Sequence, residues 1–461
     1  MIETFDVAVV GGGVVGCAVA RLLSHHQLDV ALLEATGDVG AGTSKANTAI
    51  LHTGFDATPG SVEARLVARG YALLSAYAPT AGISVEETGA VLVAWDDEQN
   101  TNLANLAAKA RANGYMHAEV VDTATARSLE PHLGPGVTGA MVVPHEHIID
   151  PWSTPIAFAT EAVTNGSTLL KNFRVASCEV GVEVTTLTSA DGRQVRTRFV
   201  VNAAGLHGDT VHRAFGFDGF TVSPRRGELI VFDKLARPLL RRTILPVPTS
   251  HTQGVLVAPT VFGNVMVGPT ADDIEDRAAT GSTRSGVDGL LAKCRRIIPD
   301  LLDEEVTAVY AGLRAATEHS DYQLSADGGA RYVCLGGIRS TGLTASMALA
   351  EEALAMLNAI GLEAAPKSDD LLVSVRLTPL GEAGERPYQF GGDVVCHCER
   401  VTASEVEAAV TSPVPAVDLD GIRRRTRALT GRCQGFYCSA EVCAHAAAFT
   451  GRPMGDWMGV T

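Results

Sequence analysis

Phe5-Asp6-Val7-Ala8-Val9-Val10-Gly11-Gly12-Gly13-Val14-Val15-Gly16 is the stretch that decides how this chain folds. Its first half is a short apolar run rich in valine, the pattern of a strand buried on both faces. The glycines follow without a gap and open a helix expected over Cys17 to Ser24. Gly11 allows a tight turn, Gly13 lets the backbone approach a pyrophosphate, and Gly16 permits close packing of helix on strand. The N-terminus of that helix would offer its unpaired N–H groups to the phosphates. A second strand, Asp29 to Leu33, runs into Glu34, placed to accept the ribose hydroxyls of an adenosine. Strand, glycines, helix, strand and acid in this register predict a dinucleotide site. Gly134-Pro135-Gly136-Val137-Thr138-Gly139 copies the glycine spacing but follows no strand, and Pro131 and Pro135 mark it as a turn.

Composition narrows the class. A chain of 461 residues, 46% hydrophobic and 19% charged, is globular and long enough for two or three domains. A net charge of −15 argues against a nucleic-acid partner, which rewards a basic face. The most apolar long segment, Thr344 to Leu362, is interrupted by Glu351 and Glu352, so no membrane span is expected. Phe5 to Val10 reads as a strand rather than part of a signal peptide, and nine cysteines without an export signal should be reduced thiols or metal ligands. The expected location is cytoplasmic, peripheral to a membrane only through a partner.

Only one credible fingerprint is present, so a nicotinamide would lack a second Rossmann unit, and FAD is the expected ligand. Two later strands end in small residues that let backbone come close to a bulky cofactor. Phe199 to Asn202 leads into Ala203-Ala204-Gly205, and Tyr332 to Gly336 leads through Gly337-Ile338-Arg339-Ser340-Thr341-Gly342-Leu343-Thr344 into a long helix. Ala204, Gly205, Gly337, Thr341, Gly342, Leu343 and Thr344 therefore join Gly11, Gly13, Gly16 and Glu34 as candidate FAD contacts. Near the C-terminus stand a C-x-C pair, Cys396 and Cys398, and a C-x4-C pair, Cys433 and Cys438. Four such thiolates predict a metal centre, an iron–sulfur cluster ahead of zinc. Thr402-Ala403-Ser404-Glu405 between the pairs has the composition of a helix start. Arg423, Arg424, Arg425, Arg427 and Arg432 crowd before the second pair, where they would offset cluster charge or form a solvated helix face. Cys443, Cys17, Cys178, Cys294 and Cys334 lie outside the pattern and are expected to be small buried hydrophobes.

Gly11 to Gly16, Ala49-Ile50-Leu51-His52-Thr53-Gly54-Phe55-Asp56, Pro224-Arg225-Arg226-Gly227-Glu228, Gly312-Leu313-Arg314 and Gly337 to Thr344 together resemble the D-amino-acid-oxidase superfamily. Within it the likeness is to the branch of FAD-dependent glycerol-3-phosphate dehydrogenases and L-2-hydroxyglutarate dehydrogenases. Cys396 to Cys438 resembles the small bacterioferritin-associated-ferredoxin-like [2Fe–2S] domain. The resemblance implies an α/β fold: a discontinuous Rossmann-like FAD domain from residues 1–85, 140–220 and 315–365, with an inserted α+β substrate domain from 86–139 and 221–314. A linker at 366–392 would lead to a small helical iron–sulfur domain at 393–456. Glu87 to Trp95, Gly254 to Pro259 and Gly263 to Gly268 read as strands of the inserted part.

For chemistry, the resemblance places His52 near the flavin as a candidate general base, the alternative being a structural histidine of the flavin site. It makes Arg314 the candidate binder of a substrate anion, for which the planar guanidinium fork is suited. Arg226 and Arg339 rank second, because each has the alternative of pairing with an acid such as Glu228. His145, His147, His207, His319 and His397 are expected to be structural. Where anaerobic glycerol-3-phosphate dehydrogenases often carry a basic residue after the His-x-Gly segment, this chain has Phe55-Asp56, which leaves phosphate and carboxylate substrates both open. The implied activity is oxidation of the secondary alcohol of a small anionic substrate, glycerol 3-phosphate or a 2-hydroxy acid such as L-2-hydroxyglutarate. Electrons would leave through the cluster to a quinone-linked carrier or a partner subunit, within a hetero-oligomer in the second case. The alternatives are an electron-transfer subunit of a heteromeric dehydrogenase, and an amine or amino-acid dehydrogenase or oxidase.

Overall fold

The computed structural model describes residues 3–248, 254–381 and 392–458. The valine-rich run forms the strand Glu3–Val10, with its last four residues fully enclosed. Parallel strands flank it on both sides, Val30–Leu33 and Gln194–Asn202. Thr168–Leu170 extends the sheet in parallel beyond the first, and Tyr332–Gly336 beyond the second. Gln194–Asn202 changes partners along its length. Its first half pairs antiparallel with Thr185–Ser189, and its second half pairs with Tyr332–Gly336. A long hairpin is thereby grafted onto an otherwise doubly wound sheet. The helix Val14–Ser24 begins three residues before its expected start, directly after Gly13. It packs between Ser153–Thr164 and Gly342–Ala359, and Val7, Val9, Cys17, Val19, Phe158, Ala353 and Leu357 belong to their shared core.

A second, mixed sheet stands apart from the first. Val222–Phe232 and Val306–Thr317 pair along their full lengths, and the sheet continues through Val265–Gly268, Leu256–Pro259, Thr243–Pro246, Ala90–Ala94, Gly139–Val143 and Glu119–Val121. Helices that pack on it include Asp97–Ala112, capped by the Asp96 carboxylate, Thr123–Leu129, capped by Asp122, and Arg284–Ile297, capped by Thr283. The expected boundaries at 139/140 and 314/315 fall inside strands of this sheet. The chain instead leaves it after Val143 and again after Thr317, because both strands must complete their pairing before the backbone can cross.

Of the expected linker, residues 382–391 lie outside the described residues. The remainder, 366–381, is irregular as its composition predicts, but it is strapped down rather than free. Pro366 bridges His26, the Lys367 N–H donates to His25 O at 2.8 Å, the Leu377 N–H to Ala81 O at 2.9 Å and the Gly381 N–H to the Ser84 Oγ at 2.8 Å.

The C-terminal unit has its own core. A hairpin of Val394–Cys396 and Val401–Thr402 leads into Ala403–Thr411, whose start is the capping box of Thr402 and Glu405. Helices Leu419–Thr426, Ser439–Thr450 and Met454–Met458 complete it around Val401, Val406, Ile422, Cys443 and Trp457. The unit is fastened to the first sheet by Asp38, which lies soon after Glu34. Both oxygens of the Asp38 carboxylate accept from Arg425, at 2.7 and 2.8 Å, and Oδ2 also accepts from Arg424 at 2.5 Å. Burial opposes charge on Asp38, yet Arg425 and Arg424 override it and hold the carboxyl below its usual range.

Asp38→Ala should therefore take from Arg425 its carboxylate and from Arg424 one of the two it holds, the other being Asp420, and cost about 3–5 kcal/mol of docking stability. Limited proteolysis is the measurement, with cleavage between 366 and 458 expected to accelerate while the first sheet stays protected. Because the Asp38 carboxyl titrates low, this stabilisation is present above about pH 4 and is lost as the pH falls from there through the lowered value.

Candidate active site and cofactor cleft

The two sheets and the C-terminal unit enclose a cleft of about 1610 Å³. Its floor is the glycine turn. Gly11 adopts φ +110°, and a Cβ there would stand 2.4 Å from Ala203 O, so no other residue fits. The Gly12 N–H donates to Glu34 Oε2 at 2.8 Å, while Glu34 Oε1 accepts from the Thr36 N–H and hydroxyl, both at 2.7 Å. At the helix N-terminus the Val14 N–H donates to Ser44 Oγ at 2.9 Å. Ser44 escaped the sequence reading, although the run Gly42-Thr43-Ser44 carried the composition of a close-approach loop.

Gly11, Gly13, Glu34, Ala204, Gly205, Gly337, Thr341, Gly342 and Leu343 all line the cleft. Two other candidate contacts do not line it. Gly16 is a packing residue, since a Cβ there would meet Gly11 O at 1.8 Å. Thr344 is fully buried behind the wall, where its Oγ1 accepts the His52 N–H at 3.0 Å. The bare backbone around Gly11 to Gly13, the carboxylate at Glu34 and the size of the space fit FAD.

His52 lines the same cleft. Its Nδ1 lies 2.6 Å from Glu146 Oε1, and Glu146 Oε2 accepts the Thr53 N–H and hydroxyl at 2.8 and 2.9 Å. Glu146 is completely buried and absent from the sequence reading, which had no means of pairing positions 52 and 146. Burial disfavours the His52 imidazolium, but the Glu146 carboxylate outweighs it and the histidine titrates above its ordinary value. Asp56 also lines the cleft, and enclosure by its walls pushes the Asp56 carboxyl upward despite the attraction of His52.

Arg314 lines the cleft from the second sheet, on Val306–Thr317, in register with Arg225. Arg225 is held by Asp273 at 2.6 and 3.0 Å. Arg339 is held by Glu63 at 3.0 Å and Ser320 O at 2.7 Å, and Arg226 lies 4.0 Å from the buried Glu228. Arg314 faces the cleft with one long hydrogen bond, 3.4 Å to Thr270 O, and no carboxylate partner among the described residues. Burial and the neighbouring Arg225 both press its pKa down, the electrostatic mark of a guanidinium without a counterion. His145 shares a hydrogen bond with Tyr115 at 3.2 Å, His319 one with Gly219 O at 2.9 Å, and burial keeps His147 and His207 toward the neutral form.

In the C-terminal unit, Cys396 and Cys438 are buried, Cys433 is half-buried and Cys398 is exposed. They meet as two hydrogen-bonded pairs, Cys396 with Cys438 and Cys398 with Cys433, and Cys396 is pulled down by its bond with Cys438. Among the described residues no three His, Cys, Asp or Glu side chains converge as they would on a single ion. The two sulfur pairs suit a cluster spanning both. The arginine run needs correction: Arg424 and Arg425 serve Asp38, Arg427 holds Glu399 at 3.0 Å, and Arg432 reaches Asp233 and Glu305 at 3.3 and 3.1 Å. These four are docking and bracing residues. Among the other cysteines, Cys17, Cys294, Cys334 and Cys443 are buried as expected, whereas Cys178 is half-exposed because its strand is near the sheet edge.

The chain matches the family described as FAD dependent oxidoreductase over residues 6–356, and the BFD-like [2Fe-2S] binding domain over residues 394–444. It is 32% identical to a glycerol 3-phosphate dehydrogenase of Caloramator mitchellensis over 95% of this chain and 93% of that protein. It is 29% identical to the human mitochondrial L-2-hydroxyglutarate dehydrogenase over 58% of this chain and 61% of that one. The dithionite-reduced L-α-glycerophosphate oxidase of Mycoplasma pneumoniae, solved with FAD bound, superposes with a TM-score of 0.76 at 28% identity, covering 80% of this chain and 97% of its own. The cofactors these matches bring are FAD and a [2Fe–2S] cluster: the chain belongs to the FAD dependent oxidoreductase family and carries a BFD-like iron–sulfur domain at its C-terminal end.

Proposed function

We propose that this oxidoreductase removes hydride from the secondary alcohol of a small anionic substrate, glycerol 3-phosphate ahead of a 2-hydroxy acid such as L-2-hydroxyglutarate. The observation that carries the reading is the presence, in one cleft, of a carboxylate-held histidine and a guanidinium without a counterion. FAD supplies the two-electron acceptor and the cluster the one-electron relay to an outside acceptor, a quinone-linked carrier or a partner subunit. His52 takes the hydroxyl proton. Its Nδ1 is committed to Glu146, which leaves Nε2 as the basic atom and fixes the ring against rotation. Glu146 also steadies the imidazolium once the proton has moved. Arg314 neutralises the substrate anion, a local positive charge that a protein of net charge −15 must supply at the site itself. A dehydrogenase of 95% alignment, the Caloramator protein, supports glycerol 3-phosphate as the first substrate to test. The decisive experiment is a panel of anionic hydroxy and amino compounds scored by anaerobic bleaching of the bound flavin. A ketone released without ammonia supports the alcohol, and ammonia sinks it.

His52→Ala should slow flavin reduction by roughly 10²–10⁴-fold, the range that loss of a general base gives. A drop below about tenfold would demote His52 to a structural role. The base must be neutral to act, so the wild-type rate should fall as the pH drops through the raised His52 pKa. Glu146→Gln removes the charge that raises it, and the acid limb of the pH profile should move to lower pH. A limb that stays in place would separate Glu146 from the titration.

Arg314→Ala should raise KM far more than it lowers kcat, and Arg314→Lys should recover only part, because one ammonium does not replace the two-point fork. Wild-type KM in Arg314→Lys would place the anion elsewhere.

Substrate-reduced protein should be reoxidised faster by a one-electron dye or a quinone analogue than by air. Cys433→Ser should abolish most of that advantage while leaving flavin reduction intact. Stopped-flow absorbance measures both phases, and fastest reoxidation by air in both proteins would make the enzyme an oxidase with a structural cluster.

A further inference from the structure

The cluster domain is also a wall of the flavin cleft. Asp420, Arg423, Arg424, Arg427, Thr430 and Gln434 line it together with the glycine turn. Within the arginine run, Arg424, Arg425, Arg427 and Arg432 each end on a carboxylate. Arg423 does not. Its half-buried guanidinium makes no hydrogen bond or ion pair among the described residues, and its Nε is shielded from solvent without a partner. Asp420, one helical turn earlier, is close enough to feel the charge of Arg423, but its carboxylate bonds to Lys45 at 2.8 Å and to Arg424. An arginine left so, inside an enclosed cleft, is completed by an anion that the cleft receives.

The position of Arg423 says which anion. Residues three apart share a helix face, so Arg423 lies on the side of Leu419–Thr426 from which Asp420 reaches Lys45. Lys45 follows Ser44, whose hydroxyl caps the N-terminus of Val14–Ser24, the place where unpaired N–H groups and the helix dipole draw a pyrophosphate. Arg314, the counterion for substrate, projects instead from the second sheet. We propose that Arg423 reaches out of the iron–sulfur domain to bind the pyrophosphate of FAD, so that the cluster domain holds the flavin as well as receiving its electrons.

The test uses full-length protein stripped of FAD and three probes: FAD, ADP, which carries the adenosine and the pyrophosphate without the flavin, and riboflavin, which carries no phosphate. Arg423→Gln should weaken FAD and ADP by about 10- to 100-fold, the loss of one charge-assisted contact, and leave riboflavin binding unchanged. Iron content should stay at the wild-type level, because the guanidinium braces nothing in the protein. With FAD saturating, KM for glycerol 3-phosphate should not move. Unchanged ADP affinity overturns the proposal, and so does a raised KM with ADP affinity intact, which would give Arg423 to the substrate. A second measurement needs no variant: ADP should protect Arg423 in the FAD-stripped wild-type chain from phenylglyoxal, read by peptide mass spectrometry. Equal modification with and without ADP would also overturn it.

Discussion

Everything in this molecule is built around the contact between one strand and one helix. Gly16 lies so near Gly11 that a single methyl group would drive the elements apart, and a methyl on Gly11 would in turn stand 2.4 Å from Ala203 O. These contacts draw Val14–Ser24 down onto Glu3–Val10 and bring Gln194–Asn202 alongside, so that three chain segments end at one point. An opening at the carboxyl ends of parallel strands follows from that convergence. Glu34, Ser44 and the small residues after Tyr332–Gly336 border it because their strands and loops end there too.

The second sheet completes the site by being tied to the first at the loop that closes over the cofactor position. Thr43 Oγ1 donates to Leu313 O at 2.8 Å, and a Cβ on Gly312 would lie 2.2 Å from Ala46 O. Arg314 therefore stands on a strand pressed against the same loop that carries Ser44. His52 is positioned with equal economy of parts: its backbone N–H is held by Thr344, its ring by Glu146. A buried carboxylate that spends all its hydrogen bonds on one short segment is a rigid holder of that segment.

The iron–sulfur unit is joined to this frame by charge rather than by a broad apolar face. Asp38 anchors Arg424 and Arg425, while Arg427 reaches Glu399 and stacks over Phe262 at 4.1 Å, beside Trp152. Glu399 follows Cys398 directly, so the bracing runs up to one of the four paired cysteines. Hydrogen-bonded, desolvated pairs of this kind fix orientation, which matters more than affinity where two redox centres must keep one separation. The strap from 366 to 381 lies along the first domain, held at His25, Ala81 and Ser84.

Local rules carried the readings that depend on local geometry. The strand, turn and helix at residues 5–24 were legible because only glycine satisfies the backbone at Gly11 and Gly16, and the cysteine spacing because thiolate pairs must come from short turns. The Thr402 cap was legible for the same reason. What tertiary structure alone decided is every pairing across long separations. His52 acquires its meaning from Glu146, which no spacing rule connects to it. The arginine run looked uniform in sequence, yet folding assigned four members to carboxylates from widely separated segments and left Arg423 to the cleft. The expected crossings at 139/140 and 314/315 fall within Gly139–Val143 and Val306–Thr317, whose pairing with Ala90–Ala94 and Val222–Phe232 runs on past those positions. A sequence states which side chains are present and what their neighbours permit, whereas the counterion each charge finds is settled only when distant strands and helices are brought into register.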